Sequence, residues 1–399
     1  MLKGKCVLLG VSGSIAAYKA VNLASMLVKL HCDVEVIMTR NAVNFINPIA
    51  FETITGNKCY VETFDRNFQF NVAHVSLAKK ADVVMAAPAS ANFVGKLANG
   101  IADDMLTTVL MACKAPCYIS PAMNTNMYDN PIFQDNLDKL KRFGYHIIEP
   151  DSGFLACRDT GKGKMPPETL LLQYILREIA CEKDLTGKKI LVTAGPTQEA
   201  IDPVRFISNH STGKMGFAVA RQAMLRGADV ILIKGATSIA PPEFVKVIDV
   251  VSAQDMFEAV KENYEDCDII VKAAAVADYR PGVYYDEKVK KKSDDMSIEL
   301  TRTTDILKYL GEHKKASQFL CGFSMETQNM LENSRKKLEA KNLDLIAANN
   351  LKQAGAGFGC DTNVVTLISA DSVEELPVLS KEETADRILT YIRSMTDAK

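Results

Sequence analysis

The sequence of 399 residues contains no tryptophan, no Cys-x-x-Cys pair and no apolar run of the ~20 residues that a membrane span requires. We therefore expect no membrane-spanning segment, and the apolar stretch at the N-terminus is too short for a signal peptide. The ten cysteines are scattered, and Cys113 and Cys117 are too isolated to form a four-ligand zinc site. Thiols distributed in this way indicate a reducing compartment, so we predict a cytoplasmic protein.

The chain also lacks an excess of charge of either sign. Its 47 Lys and Arg residues and 49 Asp and Glu residues leave a formal net charge of -2. Nucleic acids and anionic membranes attract proteins with a basic excess, so neither is an expected partner, and small neutral or anionic substrates are favoured. The length is sufficient for two or three domains with separate cores, and we predict two.

A strand, a tight turn, a helix and a second strand are predicted at the start of the chain. The strands cover residues 5–9 and 33–38, and the helix covers residues 15–30. This order begins again with a strand at residues 189–193, a turn at 194–197, a helix that follows Ser211 and a strand at 228–233. Both segments are typical of a doubly wound sheet, whose first strand–helix turn binds phosphate groups. We predict an α/β protein of two tandem Rossmann-like units, residues 1–184 and 185–399.

The first turn, GVSGS at residues 10–14, lacks the third glycine of the Gly-x-Gly-x-x-Gly pattern. The second strand ends in Met38-Thr39-Arg40, where a nicotinamide-dependent enzyme usually has an acidic residue for the ribose. An NAD-dependent oxidoreductase is therefore disfavoured. The hydroxyls of Ser12 and Ser14 suit a single phosphate such as that of FMN, although they could equally cap the helix.

Several sequence motifs resemble those of the homo-oligomeric flavin-containing cysteine decarboxylases, in particular the phosphopantothenoylcysteine decarboxylases. They are GVSGSIAAYK from residue 10, His74, PASAN from 88, PAMNTNMY from 121, DSG from 151 and Ala156-Cys157. A lone histidine is more often structural than catalytic, and the resemblance changes that expectation. It implies a flavodoxin-like flavoprotein that acts as a trimer with sites between subunits. The glycine-rich, basic segment at residues 153–165 is expected to be a flap over the substrate, although it could be a plain surface loop.

The resemblance also implies roles for individual residues of the first unit. His74 is the base, Asn124 holds the substrate carboxylate, and Cys157 donates the proton after FMN has supplied the oxidation that permits loss of CO2. The residues implied to bind FMN are Gly10, Ser12, Gly13, Ser14, Thr39, Ser90, Asn92 and Thr107.

The second unit contains a polar loop at residues 201–216, small residues after a strand at 268–271, and a run of lysines in EKVKKK at 287–292. A loop of that length between a strand and its helix is more often functional than not, although Asn209 could be an ordinary turn residue. The lysine run could be a solvated loop or a lid over phosphates. A further strand is predicted at 297–300.

These motifs, with GFSMET from residue 322 and KKLEAKNLDLIAANN from 336, resemble phosphopantothenate cysteine ligases. The resemblance implies that CTP activates 4'-phosphopantothenate as an acyl-cytidylate, which cysteine then attacks. Asn209 stabilises that intermediate, Arg205 contacts the pantothenate side, and Lys288 neutralises phosphate charge together with Mg2+. Asp278, at the carboxyl end of a strand, is placed to contact a metal such as this Mg2+ or a sugar. The residues implied to bind CTP are Ala273, Ala274, Ala275, Asp278, Lys288, Thr304, Asp305, Ile306, Leu307, Phe323, Lys337 and Lys341.

With both units, the chain resembles the bifunctional bacterial coenzyme A biosynthesis proteins over almost its whole length. The family's assembly combines trimers of the first unit with dimers of the second, which implies a dodecamer. A flavin-binding regulatory subunit without full catalysis is the alternative. Intact His74, Asn124 and Cys157 argue against that alternative.

Overall fold

A computed structural model of the chain describes residues 2–64, 73–156, 158–290, 297–326, 329–350 and 360–397. It divides into two compact units, Met1–Cys181 and Glu182–Lys399. The predicted boundary between the two activities, near residue 184, remains a prediction. Within the described residues, no helix combines the length and the apolar character needed to span a bilayer.

The first unit alternates strands and helices. Its described elements are β1 Cys6–Val11, α1 Ala17–Lys29, β2 Asp33–Met38, a 3-10 turn Ala42–Asn44, α2 Pro48–Thr55, β3 Cys59–Tyr60, α3 Ala73–Lys80, β4 Val83–Ala89, α4 Ala91–Ala98, α5 Met105–Ala112, β5 Cys117–Pro121, α6 Thr125–Tyr128, α7 Pro131–Arg142, β6 His146–Ile147, β7 Asp151–Phe154, β8 Thr160–Lys164 and α8 Glu168–Ile179.

Six of these strands form a parallel sheet in the order β3-β2-β1-β4-β5-β6. All residues of β1 and β4 are buried, as expected of central strands covered by helices on both faces. One face packs against α3, α4, α5 and α7 in a core that includes Phe93, Leu106 and Phe133. The Rossmann-like prediction is confirmed. The strand order is that of dinucleotide-binding folds, which differs from the 2-1-3-4-5 order of flavodoxin itself.

The second unit repeats this plan and adds antiparallel strands at one edge. Its described elements are β9 Lys189–Ala194, β10 Gln198–Ala200, β11 Phe206–Ser208, α9 Lys214–Leu225, β12 Asp229–Lys234, β13 Lys246–Asp249, α10 Ala253–Asn263, β14 Ile269–Lys272, β15 Tyr279–Pro281, β16 Leu300–Arg302, α11 Ile306–His313, β17 Phe319–Glu326, α12 Met330–Ala340, β18 Leu345–Asn350, β19 Thr362–Asn363, β20 Val365–Ile368, β21 Val373–Glu375, β22 Leu379–Ser380 and α13 Lys381–Asp397.

An eight-stranded sheet in the order β13-β12-β9-β14-β17-β18-β20-β21 forms the centre of the second unit. The strands from β13 to β18 are parallel, and β20 and β21 continue the sheet antiparallel. The chain order reverses between β9 and β14, which is where open α/β sheets bind ligands. The loops that follow the strands and the N-termini of the helices lie at the carboxyl edge of the sheet, because the helices run antiparallel to the strands. A strand was predicted at 297–300, but the observed strand β16 begins only at Leu300, and it pairs with β15.

An ion cluster fastens the start of the second unit to its last helix. Asp184 accepts hydrogen bonds from Arg226 Nη2 at 2.6 Å and from Arg393 Nη1 at 2.7 Å. The side chains of Asp184 and Arg226 are 8% and 5% exposed. Burial alone would raise the pKa of Asp184, but the hydrogen bonds from both arginines hold it below its usual value. The cluster therefore joins Asp184, at the start of the unit, to α9 and α13.

Candidate active sites

The predicted FMN-binding residues of the first unit all lie at the carboxyl edge of its sheet. Gly10–Ser14 follow or end β1, Thr39 follows β2, Ser90 and Asn92 follow β4, and Thr107 lies in the first turn of α5. Ser90 caps α4, and the hydroxyl oxygen of Ser14 accepts a hydrogen bond from Ala16 N at 3.3 Å. Helix N-termini and hydroxyls of this kind suit a phosphate group.

Two of these hydroxyls are committed to the protein itself. Ser12, 1% exposed, donates to Pro88 O at 2.8 Å and accepts from Ser90 N at 2.7 Å, so it joins the loops after β1 and β4. Thr107, fully buried, forms a capping box with Asp104. Both side chains shape the edge of the sheet, and neither presents an unused hydroxyl hydrogen to a ligand.

A cavity of about 460 Å³ lies between α1, the loop after β5 and the β7–β8 hairpin. Asn124 is part of its lining, together with Lys19 and Lys164, two cations that the sequence analysis did not single out. Lys19 Nζ donates to Met165 O at 2.8 Å, and burial lowers the pKa of this lysine. The cavity thus combines an amide with positive charge, which suits an anionic ligand.

The segment predicted as a flap is a β-hairpin that packs on the loop holding Asn124. Met123 N donates to Gly163 O at 3.1 Å. A Cβ at Gly163 would lie 2.3 Å from Met123 O, and a Cβ at Gly161 would lie 2.6 Å from Thr125 Oγ1. Only glycine permits this approach, and Gly163 has a φ of +139°. The glycines that suggested a loop are the residues that let the hairpin dock.

Of the three predicted catalytic residues of the first unit, the structure describes Asn124 and His74, and these two do not line the same cavity. Asn124 Nδ2 donates to Asp159 Oδ2 of the hairpin at 3.0 Å. His74 is half-buried in the first turn of α3, at the same edge of the sheet, but it is not part of the cavity lining. Cys157 lies outside the described residues.

In the second unit, a cavity of about 480 Å³ lies at the carboxyl edge of the sheet. It brings together most of the residues predicted to bind CTP. Its lining includes Asn209, Ala273, Ala274, Ala275, Asp278, Thr304, Asp305, Ile306, Leu307, Phe323, Lys337 and Lys341. Asn209 Nδ2 donates to Ala275 O at 2.9 Å, so the polar loop before α9 meets the small residues that follow β14.

Three lysines meet on one side of this cavity. Lys272, at the end of β14, lies beside Lys337 and Lys341 of α12 and the turn that follows it. Burial, followed by the positive charges of those two lysines, lowers the pKa of Lys272 to about 8. Lys341 pairs with Asp305 at 2.7 Å. Burial and mutual repulsion both disfavour the charged form of these lysines, and a bound anion would offset both effects. The cluster therefore indicates a site for a highly anionic ligand.

The N-terminus of α9 forms another side of the cavity. Gly213, with a φ of +81°, is the N-cap residue of the helix, and a Cβ at Gly216 would lie 2.5 Å from Ala194 Cβ. Lys214 and the buried Lys381 line the same side. The sequence patterns did not single out Lys272 or Lys381. A lysine at the end of a strand or at the start of a helix is common and does not by itself indicate a binding site. A helix N-terminus with two lysines is a second place for phosphate.

Arg205 and Lys288 lie outside the cavity lining but close to each other in the fold. The buried Asp202 accepts from Arg205 Nε at 3.0 Å and from Val289 N at 3.2 Å. Arg205 Nη2 also donates to Val289 O at 3.0 Å. The hydrogen bond from Arg205 is the largest cause of the lowered pKa of Asp202. Asp202 therefore holds Arg205, which is predicted to contact the pantothenate side, next to Val289 in the lysine run. Lys288 itself is exposed.

A metal site made of protein ligands alone is not present in the part of the chain that the structure describes, since no three His, Cys, Asp or Glu side chains gather there. Asp278 is exposed and lines the second cavity. Mg2+ often takes only one or two carboxylates together with phosphate oxygens and water. One carboxylate at this position fits that mode of binding.

Two family models match the chain, one for each unit. The model described as Flavoprotein matches residues 1–180, and the model described as DNA/pantothenate metabolism flavoprotein C-terminal domain matches residues 185–395.

Similar proteins match along almost their whole length. The Coenzyme A biosynthesis bifunctional protein CoaBC of Bacillus subtilis (strain 168) is 48% identical over 400 residues, which covers 99% of this chain and 98% of that protein. The protein of the same name from Borreliella burgdorferi is 43% identical over 394 residues, with coverages of 98% and 100%. A crystal structure of the C-terminal domain of such a protein is 46% identical, with a TM-score of 0.48, and the match covers 55% of this chain and 100% of that one.

Proposed function

This chain belongs to the family of bifunctional coenzyme A biosynthesis proteins, and from that premise we propose how its two units divide the work. The second unit joins 4'-phosphopantothenate to cysteine with CTP, and the first unit decarboxylates the resulting 4'-phosphopantothenoylcysteine to 4'-phosphopantetheine with FMN. The chain is thus an enzyme with a ligase and a decarboxylase activity. The observation that carries the assignment of the ligase site is the single cavity in which the lysines, Asn209 and the small residues after β14 meet.

In the ligase reaction, the carboxylate of 4'-phosphopantothenate attacks the α-phosphorus of CTP and pyrophosphate leaves. The amine of cysteine then attacks the acyl carbon and CMP leaves. Lys272, Lys337 and Lys341 offset the negative charge of the phosphates, and Asn209 is placed to donate to the acyl-cytidylate. We assign Asp278 as the residue that would hold Mg2+, which would help to offset the phosphate charge, and Lys288 as a further lysine that neutralises that charge.

In the decarboxylase reaction, Asn124 binds the substrate carboxylate, His74 takes the proton of the thiol, and Cys157 returns a proton after CO2 has left. FMN, when bound, supplies the oxidation and later reduction that these proton transfers accompany. The helix N-termini and the Ser14 hydroxyl at the carboxyl edge suit its phosphate, and Ser12 fixes the loop from within. His74 lies outside the cavity that Asn124 lines, and we infer that a neighbouring subunit completes the site.

We further propose a homo-oligomer of trimers through the first unit and dimers through the second, combined in a dodecamer. The location we propose is the cytoplasm. The nine cysteines that the structure describes are free thiols, as in a reducing compartment.

Purified protein tests the function directly. We expect a yellow protein that releases pyrophosphate over many turnovers only when CTP, 4'-phosphopantothenate and cysteine are all present, and that releases CO2 from added 4'-phosphopantothenoylcysteine. A yellow protein without either activity would favour the regulatory flavin-binding alternative.

The lowered pKa of Lys272 predicts a pH dependence of CTP binding. Lys272 is protonated below about pH 8 and loses its charge above it, whereas bound triphosphate keeps it charged. Affinity for CTP should therefore fall about tenfold between pH 7 and pH 9. Lys272→Gln should bind CTP more weakly at pH 7 and show little of this decline, and Lys308→Gln, which changes an exposed lysine of α11, should behave as wild type. Equal slopes in wild type and Lys272→Gln would contradict the assignment.

The docking of the hairpin predicts that Gly163→Ala impairs decarboxylation. The new Cβ would clash with Met123 O, so the hairpin must move away from the loop that holds Asn124. Displacements of about 1 Å can reduce rates ~100-fold, and we expect a loss of about ten- to a hundredfold with normal ligation. Gly153→Ala is the control, because its Cβ would meet only Lys164 Cδ at 3.8 Å. Comparable rates for the two variants would show that docking is not required.

A further inference from the structure

One side chain of the hairpin already makes the contact that the proposed function assigns to the substrate. Asn124 Nδ2 donates to the carboxylate of Asp159, with a distance of 3.0 Å to Oδ2. Asn124 Oδ1 accepts from Asn126 N at 2.9 Å and so caps α6. Because the cap fixes the carbonyl end of the amide, its NH2 group points toward the hairpin. Asp159 therefore occupies one of the two N–H donors of this amide and places its negative charge where a substrate carboxylate would bind.

The position of Asp159 is set by the backbone and not by this hydrogen bond alone. Leu155 N donates to Asp159 O at 2.8 Å, and Arg158 N donates to Leu155 O at 2.9 Å, so the backbones of Arg158 and Asp159 are both bonded to Leu155. The hairpin is held separately by the bond from Met123 N to Gly163 O and by the salt bridge of Lys162 to Glu149 at 2.7 Å. A change at the Asp159 carboxylate should leave the hairpin docked.

We propose that Asp159 is a specificity-determining residue that competes with the substrate carboxylate for Asn124. The inference rests on the proposed function, in which Asn124 binds the carboxylate that is later lost as CO2. A ligand with a carboxylate replaces one charged hydrogen bond by another, so the exchange costs little. Two carboxylates at one amide repel each other, so binding of the substrate moves the side chain of Asp159 away.

This exchange lets the site distinguish the substrate, which has a carboxylate, from the decarboxylated product, which has none. After CO2 has left, the ligand no longer carries the carboxylate that accepted from Asn124, and the carboxylate of Asp159 can accept from it again. When the carboxylate of Asp159 returns to Asn124, it replaces the hydrogen bond that the ligand has lost. The site therefore does not favour the product over the substrate. Lys19 and Lys164 line the same cavity and attract the anionic ligand as a whole, whereas Asp159 acts only on the part that reacts.

A pair of ligands that differ only in the carboxylate tests the proposal. The first is the serine analogue of the substrate, whose hydroxyl replaces the thiol and prevents oxidation. The second is its decarboxylated ethanolamine counterpart. Binding of each to the FMN-loaded full-length protein is measured at equilibrium. Asp159→Asn should bind the serine analogue about three- to tenfold more tightly, as expected when a competing charged hydrogen bond is removed, with unchanged affinity for the counterpart.

Control variants separate competition from other roles. Asp151→Asn removes an exposed carboxylate from the same hairpin and should leave the ratio of the two affinities unchanged. Asn124→Ala should lose the preference for the serine analogue, and adding Asp159→Asn to it should change nothing further. Weaker binding of both ligands by Asp159→Asn would make Asp159 a structural residue of the hairpin, and unchanged binding would show that it does not compete. Either result overturns the proposal.

The same variants distinguish this inference from the function on which it rests. If Asn124→Ala retains full affinity for the serine analogue, Asn124 does not bind the carboxylate and the proposed role of Asn124 fails. If Asn124→Ala loses that affinity while Asp159→Asn does not gain it, the role of Asn124 stands and only the competition fails.

A fluorescence reporter provides a second measurement. The chain has no tryptophan, so Thr160→Trp, at an exposed position next to Asp159 and outside the cavity lining, introduces a single probe. The serine analogue should change its emission by moving Asp159, and the decarboxylated counterpart should change it much less. The same change with both ligands would contradict a carboxylate-specific displacement.

Discussion

Decarboxylation of 4'-phosphopantothenoylcysteine should fall about 10²- to 10⁴-fold in His74→Asn, because this substitution removes the base proposed to take the thiol proton. Asparagine is smaller than histidine and uncharged, and His74 is only half-buried, so the unit should stay folded and yellow. Ligation takes place in the other unit, which has its own core, and should be unaffected. 4'-Phosphopantothenoylcysteine should therefore accumulate when CTP, 4'-phosphopantothenate and cysteine are supplied.

His31→Asn is the matched control for this experiment. His31 is exposed between α1 and β2, at the opposite edge of the sheet from His74, and has a φ of +61°. Asparagine tolerates that backbone conformation well, so the variant should keep both activities. CO2 release and pyrophosphate release are followed separately for both variants. Normal CO2 release by His74→Asn would remove His74 from the mechanism, as would an equal loss in His31→Asn.

Most of the residues that line the second cavity could be predicted from short sequence motifs. The small residues after β14 and the start of α11 come directly after strands or at helix N-termini, so a parallel sheet brings them to one edge. Their common cavity follows from that rule. Lys272 could not be singled out, because its effect depends on burial beside Lys337 and Lys341, which only packing reveals. Lys381 joins Lys214 from a helix far along the chain, and no local pattern connects them.

The hairpin shows where composition misleads. Residues 160–164, TGKGK, have weak β propensity and suggest a loop, yet they form β8. The reason is tertiary: Gly161 and Gly163 allow the strand to approach Thr125 and Met123, and pairing with β7 completes the element. Sequence patterns therefore indicated that the glycines mattered, but not that they bring Asp159 to Asn124.

Hydroxyls were the least predictable part of the first site. Ser12 and Ser14 lie in the same turn and have the same chemistry, but Ser12 is 1% exposed and bonded to Pro88 and Ser90, whereas Ser14 is half-buried. The direction of a side chain in a turn of this kind depends on the neighbouring loop, here the one after β4. A sequence pattern cannot distinguish a hydroxyl that binds a ligand from one that joins two loops.

Asn209→Asp should abolish most of the CTP-dependent release of pyrophosphate. The amide of Asn209 donates to Ala275 O at 2.9 Å, and an aspartate at this position would place a carboxylate against that carbonyl oxygen and beside the site proposed for the acyl-cytidylate. Repulsion between two anions at close range opposes the charge that develops on phosphate during the reaction, and loss of one such donor typically costs 10²- to 10³-fold.

Asn209→Ala separates the lost hydrogen bond from the added charge. It removes the donor without introducing an anion, so we expect a smaller loss than in Asn209→Asp, and the difference between the two variants measures the repulsion. Both variants should still release CO2 from supplied 4'-phosphopantothenoylcysteine at the wild-type rate, because Asn209 belongs to the unit that follows Cys181. If Asn209→Asp lost both activities while it remained folded and yellow, the two sites would be coupled and the division of labour between the units would be wrong. If the two variants ligated equally well, the anion would not be near the amide, and the acyl-cytidylate would have to be placed elsewhere in the cavity.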